Sequence, residues 1–565
     1  MNQTPNETRN QTANQTTNDT PNPRTNLRTR TDLLLLVAFC GFLFFYGLGA
    51  FGLLGADEPR YAQVAREMLG RRDWVTPTLQ GKAWLEKPVL YYWQAMLAFR
   101  AAGVNDGAAR IPAASDAACL IAAIYFFLRR FRRGSELDGA LITASCAGVI
   151  GFAHAAATDM PLAACFSIGL LAWYAWYESR HRTYLAAFYI FMALGTLAKG
   201  PVAPALAAVI IVLFLAVKRD WPTILPTLWL PGIVLYLAVM LPWYVAVQLR
   251  NPEFFRVFIL EHNLARFSQD VYHHRQPFWF YVPVFLLAMM PWTIVLIMAI
   301  TKRIRMFWAQ GREAYSTPQN SWPLFLFLWM LVPVMFFSAS QTKLPGYILP
   351  AVPAGGLLVA EYLAEYRRVP RTERRKLPLV FAAVHGILCG LLIFAALSAS
   401  TIAQTHRLPW GTGTYLSAAV AAIFAFGIAA ALVSPAGPRL LTRATALTVV
   451  VSVGAVIRLA APVIDATQSA RTVAERIQAA SPLSASSQVI PLALYHLNRV
   501  QEYGLEFYLN RPAESYDSGN IPAAEHVVVA AHGTQSQVAQ LVPGRRVSYL
   551  TNIPEQKLDL YWVGK

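Results

Sequence analysis

Residues 33–61 read LLLLVAFCGFLFFYGLGAFGLLGADEPRY. The first part is an apolar run long enough to cross a bilayer as a helix, and it runs straight into Asp57-Glu58-Pro59-Arg60-Tyr61. Two carboxylates and an arginine at a membrane exit are costly, because charge there is tolerated mainly where it lines a site. The outlet of the first helix is therefore the leading candidate for the functional centre. Its neighbour Tyr61 opens a stretch, 61–69, in which Tyr61, Val64, Ala65, Met68 and Leu69 recur at helical spacing between polar residues. That pattern predicts an amphipathic helix lying in the interface.

Composition sets the class. Of 565 residues 56% are hydrophobic and 14% charged, with a mean hydropathy of +0.39, which no soluble globule carries. The chain reads as an all-α polytopic membrane protein. Its net charge of +17 comes in short bursts between apolar stretches rather than along one face, so it reports topology and not nucleic-acid binding. The five cysteines, Cys40, Cys119, Cys146, Cys165 and Cys389, all lie in apolar segments without CxxC spacing, which implies neither a thiolate zinc cage nor a disulfide framework.

Further apolar stretches of spanning length lie near 112–130, 137–157, 160–178, 183–199, 201–217, 223–248, 277–301, 321–339, 346–364, 377–399, 413–434 and 439–460. With 33–54 they make about thirteen helices. Basic bursts at 129–133, 180–182, 218–219, 302–305, 367–376 and 439–443 fall on every second connection. The positive-inside rule puts those loops in the cytoplasm with the N-terminal tail. An apolar piece at 89–99 is left out of the count and reads as interfacial. Residues 1–30, rich in Asn, Thr, Gln and Pro, predict a disordered tail, and 33–54 is too long and lacks the cleavage site of a signal peptide. Residues 31–460 then form the membrane domain, with outer loops at 55–111 and 249–276. Residues 461–565 form a small outer α/β domain, with a helix at 472–480 and strands at 488–495, 505–508, 526–531 and 558–563.

This topology gathers the unusual polar residues on one face. Asp57, Glu58, Arg60, Tyr61, Glu86, Lys87 and Tyr91 belong to the first outer loop; Asp159, Lys199, Lys343 and Tyr347 follow later helices; His262, Arg266, His273, His274 and Arg275 share the 249–276 loop. Each has an ordinary reading: Asp159 as a helix cap, Lys199 and Lys343 as snorkelling lysines, Glu86-Lys87 as a solvated pair. Independent accidents would not all choose the same face. The chain has no HExxH, GxSxG or P-loop string, which disfavours zinc-protease, serine-nucleophile and nucleotide-driven chemistry.

The strings DEPRYAQVAREML, WLEKPVLYYW, TDMPLA (158–163), LAKGP (197–201), EHNLARF, HHRQPFWFYVP and KLPGYILP resemble the polyprenyl-phosphate-dependent membrane glycosyltransferases of the GT-C fold. Within them the chain is most similar, over about 33–360, to the aminoarabinose transferases that modify lipid A in Gram-negative bacteria. The resemblance implies an undecaprenyl phosphate-linked sugar donor, a lipid A phosphate acceptor and an inner-membrane enzyme facing the periplasm, with polymyxin resistance as the outcome. Asp57, Lys87 and Asp159 are the expected catalytic residues. Glu58, Arg60, Tyr61, Glu86, Tyr91, Lys199, Arg266, Arg275, Lys343 and Tyr347 are expected to bind substrate, with aromatics such as Trp84, Tyr92, Trp93, Trp279 and Tyr281 walling a groove for lipid tails. A hydroxyl acceptor would need Asp57 as general base; an ionised phosphate would leave it to orient the acceptor or hold the sugar amine. Glu86 with His274 or His262 suits a divalent cation such as zinc. Two rivals are a GT-C protein O-glycosyltransferase and a lipid or solute transporter; a transporter would keep its charges near mid-membrane.

Overall fold

The structure, a computed structural model, describes residues 23–258, 276–311, 313, 318–368, 437–480 and 490–564. Helix α1 (Pro23–Cys40) starts at a proline, whose preset φ suits a first turn, so residues 23–30 of the expected tail are helical. It runs through a π turn, Gly41–Phe45, and stops. The expected span to residue 54 ends early because Gly47, with φ +76°, and the glycines at 49 and 52 favour an irregular path over a helix.

Helices α2 (Asp57–Arg71), α3 (Leu90–Ala102) and α4 (Asp106–Phe131) follow. Asn105 caps α4 by accepting from the Ala108 amide at 2.9 Å, so that helix begins before the expected 112. The stretch 137–157 is two helices, α5 (Glu136–Ala144) and α6 (Ala147–Ala153), bent by 63°. Next come α7 (Asp159–Ser179), α8 (Arg182–Lys199), α9 (Val202–Lys218) and, after a single turn at Ile224–Thr227, α10 (Leu230–Arg250). The expected 277–301 span is instead two helices, with α11 (Tyr281–Ala288) turned by 119° from α12 (Thr293–Gln310). Helix α13 (Pro318–Ala339), a 3-10 segment Pro345–Ala351 and α14 (Val352–Tyr366) lead to α15 (Gly437–Ala455), which continues into α16 (Ala461–Gln468).

Among the described residues six helices are long and apolar enough to cross a membrane, or up to eight if each bent pair is one span. The chain is a multi-pass membrane protein. The expected spans at 377–399 and 413–434 lie outside the described residues. Aromatic packing joins α7, α9 and α13 in the core, where Trp173 stacks on Phe325 at 5.5 Å and meets Phe214 edge-on at 6.0 Å. Basic bursts meet carboxylates at one end of the bundle: Arg132 with Glu178, Arg367 with Asp138, and Lys302 and Arg303 on Glu365. The opposite helix ends carry Asp106, Arg110, Asp159 and Lys199.

After α16, the C-terminal region continues with α17 (Ala470–Ala480). Strand β3 (Leu492–Tyr495), α18 (Arg499–Leu509), β4 (Ala513–Ser515), β5 (His526–Ala531), α19 (Gln535–Leu541), β6 (Val547–Ile553) and β7 (Leu558–Val563) complete it; the hairpin β1 (Thr78–Leu79)–β2 (Lys82–Ala83) lies in the first outer loop. The sheet order is β4-β3-β5-β7-β6, with β3 parallel to both neighbours. Leu492 and Leu494 face a layer with α17 and α18, while Ala493 and Tyr495 face α19, so the sheet is covered on both sides. Residues 505–508 are helical, not a strand. Asn498 caps that helix by accepting from the Val500 and Gln501 amides, and a four-residue apolar run is too short to separate the two periods.

Candidate active site

The outlet segment 46–56 has no regular structure, so its backbone groups need partners from elsewhere. Arg110, fully buried one turn into α4, donates to the carbonyls of Leu48 (2.7 Å), Phe51 (2.8 Å) and Gly52 (2.9 Å) and pairs with Glu58 at 2.7 Å. Glu58 in turn accepts from the amides of Leu54 at 2.8 Å and Ala156 at 2.9 Å. A buried ion pair offsets its desolvation only when further hydrogen bonds support it, and here both carboxylate oxygens of Glu58 and both terminal nitrogens of Arg110 are bonded, while the Arg110 Nε is not. Glu58, expected to contact substrate, ties the first outlet to the segment before α7 and also lines an apolar groove. The glycines at 47, 49 and 52 fall in GxGxxG spacing, but they follow a helix rather than a strand and form this close-packed turn, not a dinucleotide loop.

Asp57 and Arg60 lie in the first turn of α2 and form an ion pair; the carboxylate is half-exposed while the guanidinium is largely covered. Arg60 lies 4.9 Å from the Trp84 ring centroid, 5.3 Å from Tyr61 and 5.5 Å from Tyr503 of α18. Burial lowers the affinity of Arg60 for its proton, but Tyr61, Asp57, Glu86 and Tyr92 together raise it above the ordinary arginine value. Tyr61 is pushed up by burial first and then by Asp57, with Tyr92 and Asp159 adding and Arg60 opposing. The site therefore joins two loops, since Asp57 and Asp159 both act on one phenol.

Helix α2 is more enclosed than an interfacial helix: Tyr61, Ala62, Val64, Ala65 and Met68 are buried against α3 and the C-terminal region. Glu67 accepts from the Gln80 amide (2.7 Å), the Gly81 amide (3.1 Å) and the Thr78 hydroxyl (2.7 Å). That pins the β1–β2 hairpin to α2 and carries Trp84 and Glu86 in near Arg60. Glu86 and Lys87 are half-buried. Tyr91 does not wall a groove; it is buried and donates to the Ala109 carbonyl at 2.9 Å. Tyr281 is buried too, exchanging hydrogen bonds with Leu344, whereas Trp279 is exposed.

Asp159 does not cap α7 with its side chain but pairs with Lys199 at 2.6 Å. The Lys199 ammonium also lies 4.6 Å from the Tyr347 ring centroid. The 3-10 segment reaches them through Gly346, where a Cβ would come within 2.5 Å of the Asp159 carboxylate. Lys343 is buried and donates to the Ser340 carbonyl in its own turn. His262, Arg266, His273, His274 and Arg275 lie outside the described residues. Among the described residues no group of three His, Cys, Asp or Glu is placed to hold a metal.

An apolar groove of about 640 Å³ opens beside Leu54 and Glu58, lined also by Ile150, Leu287, Val449 and Val453. It sits where α6 and α11 turn, so both bends shape it. Sequence reading missed Arg110 and the C-terminal contacts. An arginine four residues after Asp106 at the start of an apolar run was the available signal.

A family model described as dolichyl-phosphate-mannose-protein mannosyltransferase matches residues 86–245. An undecaprenyl phosphate-alpha-4-amino-4-deoxy-L-arabinose arabinosyl transferase of Pseudomonas aeruginosa is 32% identical over 346 residues, 60% of this chain and 61% of the relative. The chain thus matches about three fifths of that protein's length. The enzyme of the same description from Pseudomonas savastanoi pv. phaseolicola is 31% identical over 67% of this chain and 68% of its own. The crystal structure of ArnT from Cupriavidus metallidurans bound to undecaprenyl phosphate superposes with a TM-score of 0.73 at 21% identity, covering 94% of this chain and 97% of that one. The fold is that of a GT-C membrane glycosyltransferase. Within that class the chain belongs to the undecaprenyl phosphate-4-amino-4-deoxy-L-arabinose arabinosyl transferase family.

Proposed function

We propose that this protein transfers 4-amino-4-deoxy-L-arabinose from undecaprenyl phosphate to a phosphate of lipid A at the periplasmic face of the inner membrane, giving a more cationic lipid A and resistance to polymyxin. The observation that carries the reading is the pair of carboxylate–cation couples, Asp57 with Arg60 and Asp159 with Lys199, at neighbouring helix ends. The donor is itself a dipole, with an anionic phosphate and a cationic sugar amine. Its phosphate exchanges for Asp57 on Arg60, joined by Lys87, and the released Asp57 holds the amine or the acceptor. An oxygen of the lipid A phosphate attacks the anomeric carbon, the bond to the donor phosphate oxygen breaks, and undecaprenyl phosphate leaves with its charge neutralised by these cations. The groove beside Leu54 takes an apolar tail. Arg266 and Arg275 are further candidates for the phosphates, and Glu86 with His262 or His274 for a divalent cation; exhaustive chelation tests the latter by loss and metal-restored recovery of activity. About thirteen spans with an outer C-terminal domain complete the proposed topology.

The mass of lipid A from cells with and without the protein tests the function. An added aminopentose only in its presence is the expected result, and unchanged lipid A would remove the assignment. The match to a protein mannosyltransferase model motivates a peptide acceptor as the parallel arm, where glycosylated peptide would favour the O-glycosyltransferase reading.

A further inference from the structure

We propose that the C-terminal α/β domain is a working part of this site, with Tyr508 and Arg471 as positioning residues that hold the outlet segment and, through it, Asp57. The inference rests on the reading of the outlet as the catalytic centre. Tyr508 accepts the Leu53 amide hydrogen at 2.6 Å and donates its own proton to Asp106 at 2.6 Å. Arg471 donates to Asp106 at 2.9 Å, to Asp465 at 2.6 Å and to the Gly49 carbonyl at 3.3 Å. Asp465 accepts the Gly52 amide hydrogen at 2.7 Å. With Arg110 on the carbonyls of Leu48, Phe51 and Gly52, the segment is held by side chains arriving from α4 on one side and from α16, α17 and α18 on the other.

One turn bond, from the Ala50 amide to the Gly47 carbonyl at 3.0 Å, is a local constraint on that path. Three glycines widen the conformations open to 47–52, and no helix or sheet ladder constrains it, so its position is set by these contacts. The two parts meet closely at Gly52, where a Cβ would lie 2.0 Å from the Ser469 Oγ and 2.6 Å from the Tyr508 oxygen. The same domain also grips the other side of Asp57. Arg66 of α2 donates to the Phe507 carbonyl at 2.6 Å and to Asn510 at 3.2 Å, and Tyr503 stands beside Arg60. The acid is thus bracketed by one domain before and after it in the chain. A displacement of about 1 Å at a reacting group costs up to roughly a hundredfold in rate, so releasing the segment should act on turnover before it acts on folding. The sheet keeps its own two-sided core and the bundle its own, which leaves Tyr508→Phe a shape-conserving change at their seam.

The test uses the purified full-length protein, wild type and Tyr508→Phe, with Gly52→Ala perturbing the same contact from the bundle side and Arg471→Lys retaining charge with fewer donors. Transfer kinetics are read together with hydrogen–deuterium exchange of peptides covering 46–58. The expected result is a kcat lowered roughly tenfold to a hundredfold at a donor KM within about twofold of wild type. Exchange of 46–58 should be faster by roughly tenfold, while peptides from α7 are unchanged. Unchanged exchange in Tyr508→Phe overturns the proposal, whether or not activity falls, and so does faster exchange with wild-type kcat. If wild-type protein transfers no aminopentose while the variant still loosens 46–58, the functional reading fails and the clamp itself is supported.

Discussion

Asp57→Asn keeps the size of the side chain and removes the charge that faces Arg60. Transfer should fall by roughly a hundredfold or more with the unfolding midpoint unchanged; wild-type turnover in the purified variant would take Asp57 off the catalytic list. Asp57→Glu then separates its roles. A general base would carry the acidic limb of kcat/KM with it as its own pKa changes. An orienting carboxylate would lower the rate and leave the limb at the second ionisation of the acceptor phosphate, near pH 6. We expect the latter. Arg110 behaves differently, because it touches no solvent. Arg110→Met leaves Glu58 buried without its counter-charge, which costs about 3–5 kcal/mol and should appear as a lower thermal midpoint. Arg110→Met as stable as wild type would show that the pair is dispensable. Asp57, Arg60 and Tyr61 were legible because charge at a membrane exit is rare. Arg110 was not, since nothing in a linear string shows that its partner lies fifty-two residues earlier.

At the scale of elements, α18 ties the sheet to the β1–β2 hairpin through a titrating contact. Glu506 accepts from Gln80 and from the Ala513 amide at 3.3 Å. Burial pushes its carboxyl up to about 7, with those two bonds opposing and the charges of Glu502 and Glu67 adding. An unfolded glutamate titrates near ~4.3, so between that value and about 7 the folded protein holds a proton that the unfolded chain has lost. This contribution is fully present below the unfolded pKa and is lost as pH rises through the folded one. The unfolding midpoint of wild type relative to Glu506→Gln should therefore fall from pH 5 to pH 8, and a constant difference would refute the shift. The element itself was misread from sequence as a strand: four apolar residues fit either period, and only the Asn498 cap and packing on α2 decide for a helix. The bends at α5–α6 and α11–α12 were likewise invisible to hydropathy, which records apolar length and not direction.

For the whole molecule, the ion pairs of Arg132, Lys302, Arg303 and Arg367 gather at the end opposite Asp159 and Lys199. In intact cells a membrane-impermeant thiol reagent should label Glu86→Cys and Tyr549→Cys, each in a cysteine-free background, and should spare Arg132→Cys and Lys302→Cys. Labelling at Arg132 would invert the proposed topology. The C-terminal domain and the outer loops should behave as one body in this experiment, because α18 and α2 share a hydrophobic cluster.

The sequence by itself determined the class, the location of the acid at the first helix outlet, the gathering of several basic bursts at one end of the bundle and most of the C-terminal strands. Those follow from composition, charge and period, which are properties of short windows. Tertiary structure alone decided that Glu58 pairs with Arg110, that Asp159 answers Lys199 across forty residues, and that Tyr508 and Arg471 reach the outlet from more than four hundred residues away. An irregular glycine-rich segment carries no periodic signal, and besides the turn bond from Ala50 to Gly47 its backbone is held by the elements that close around it.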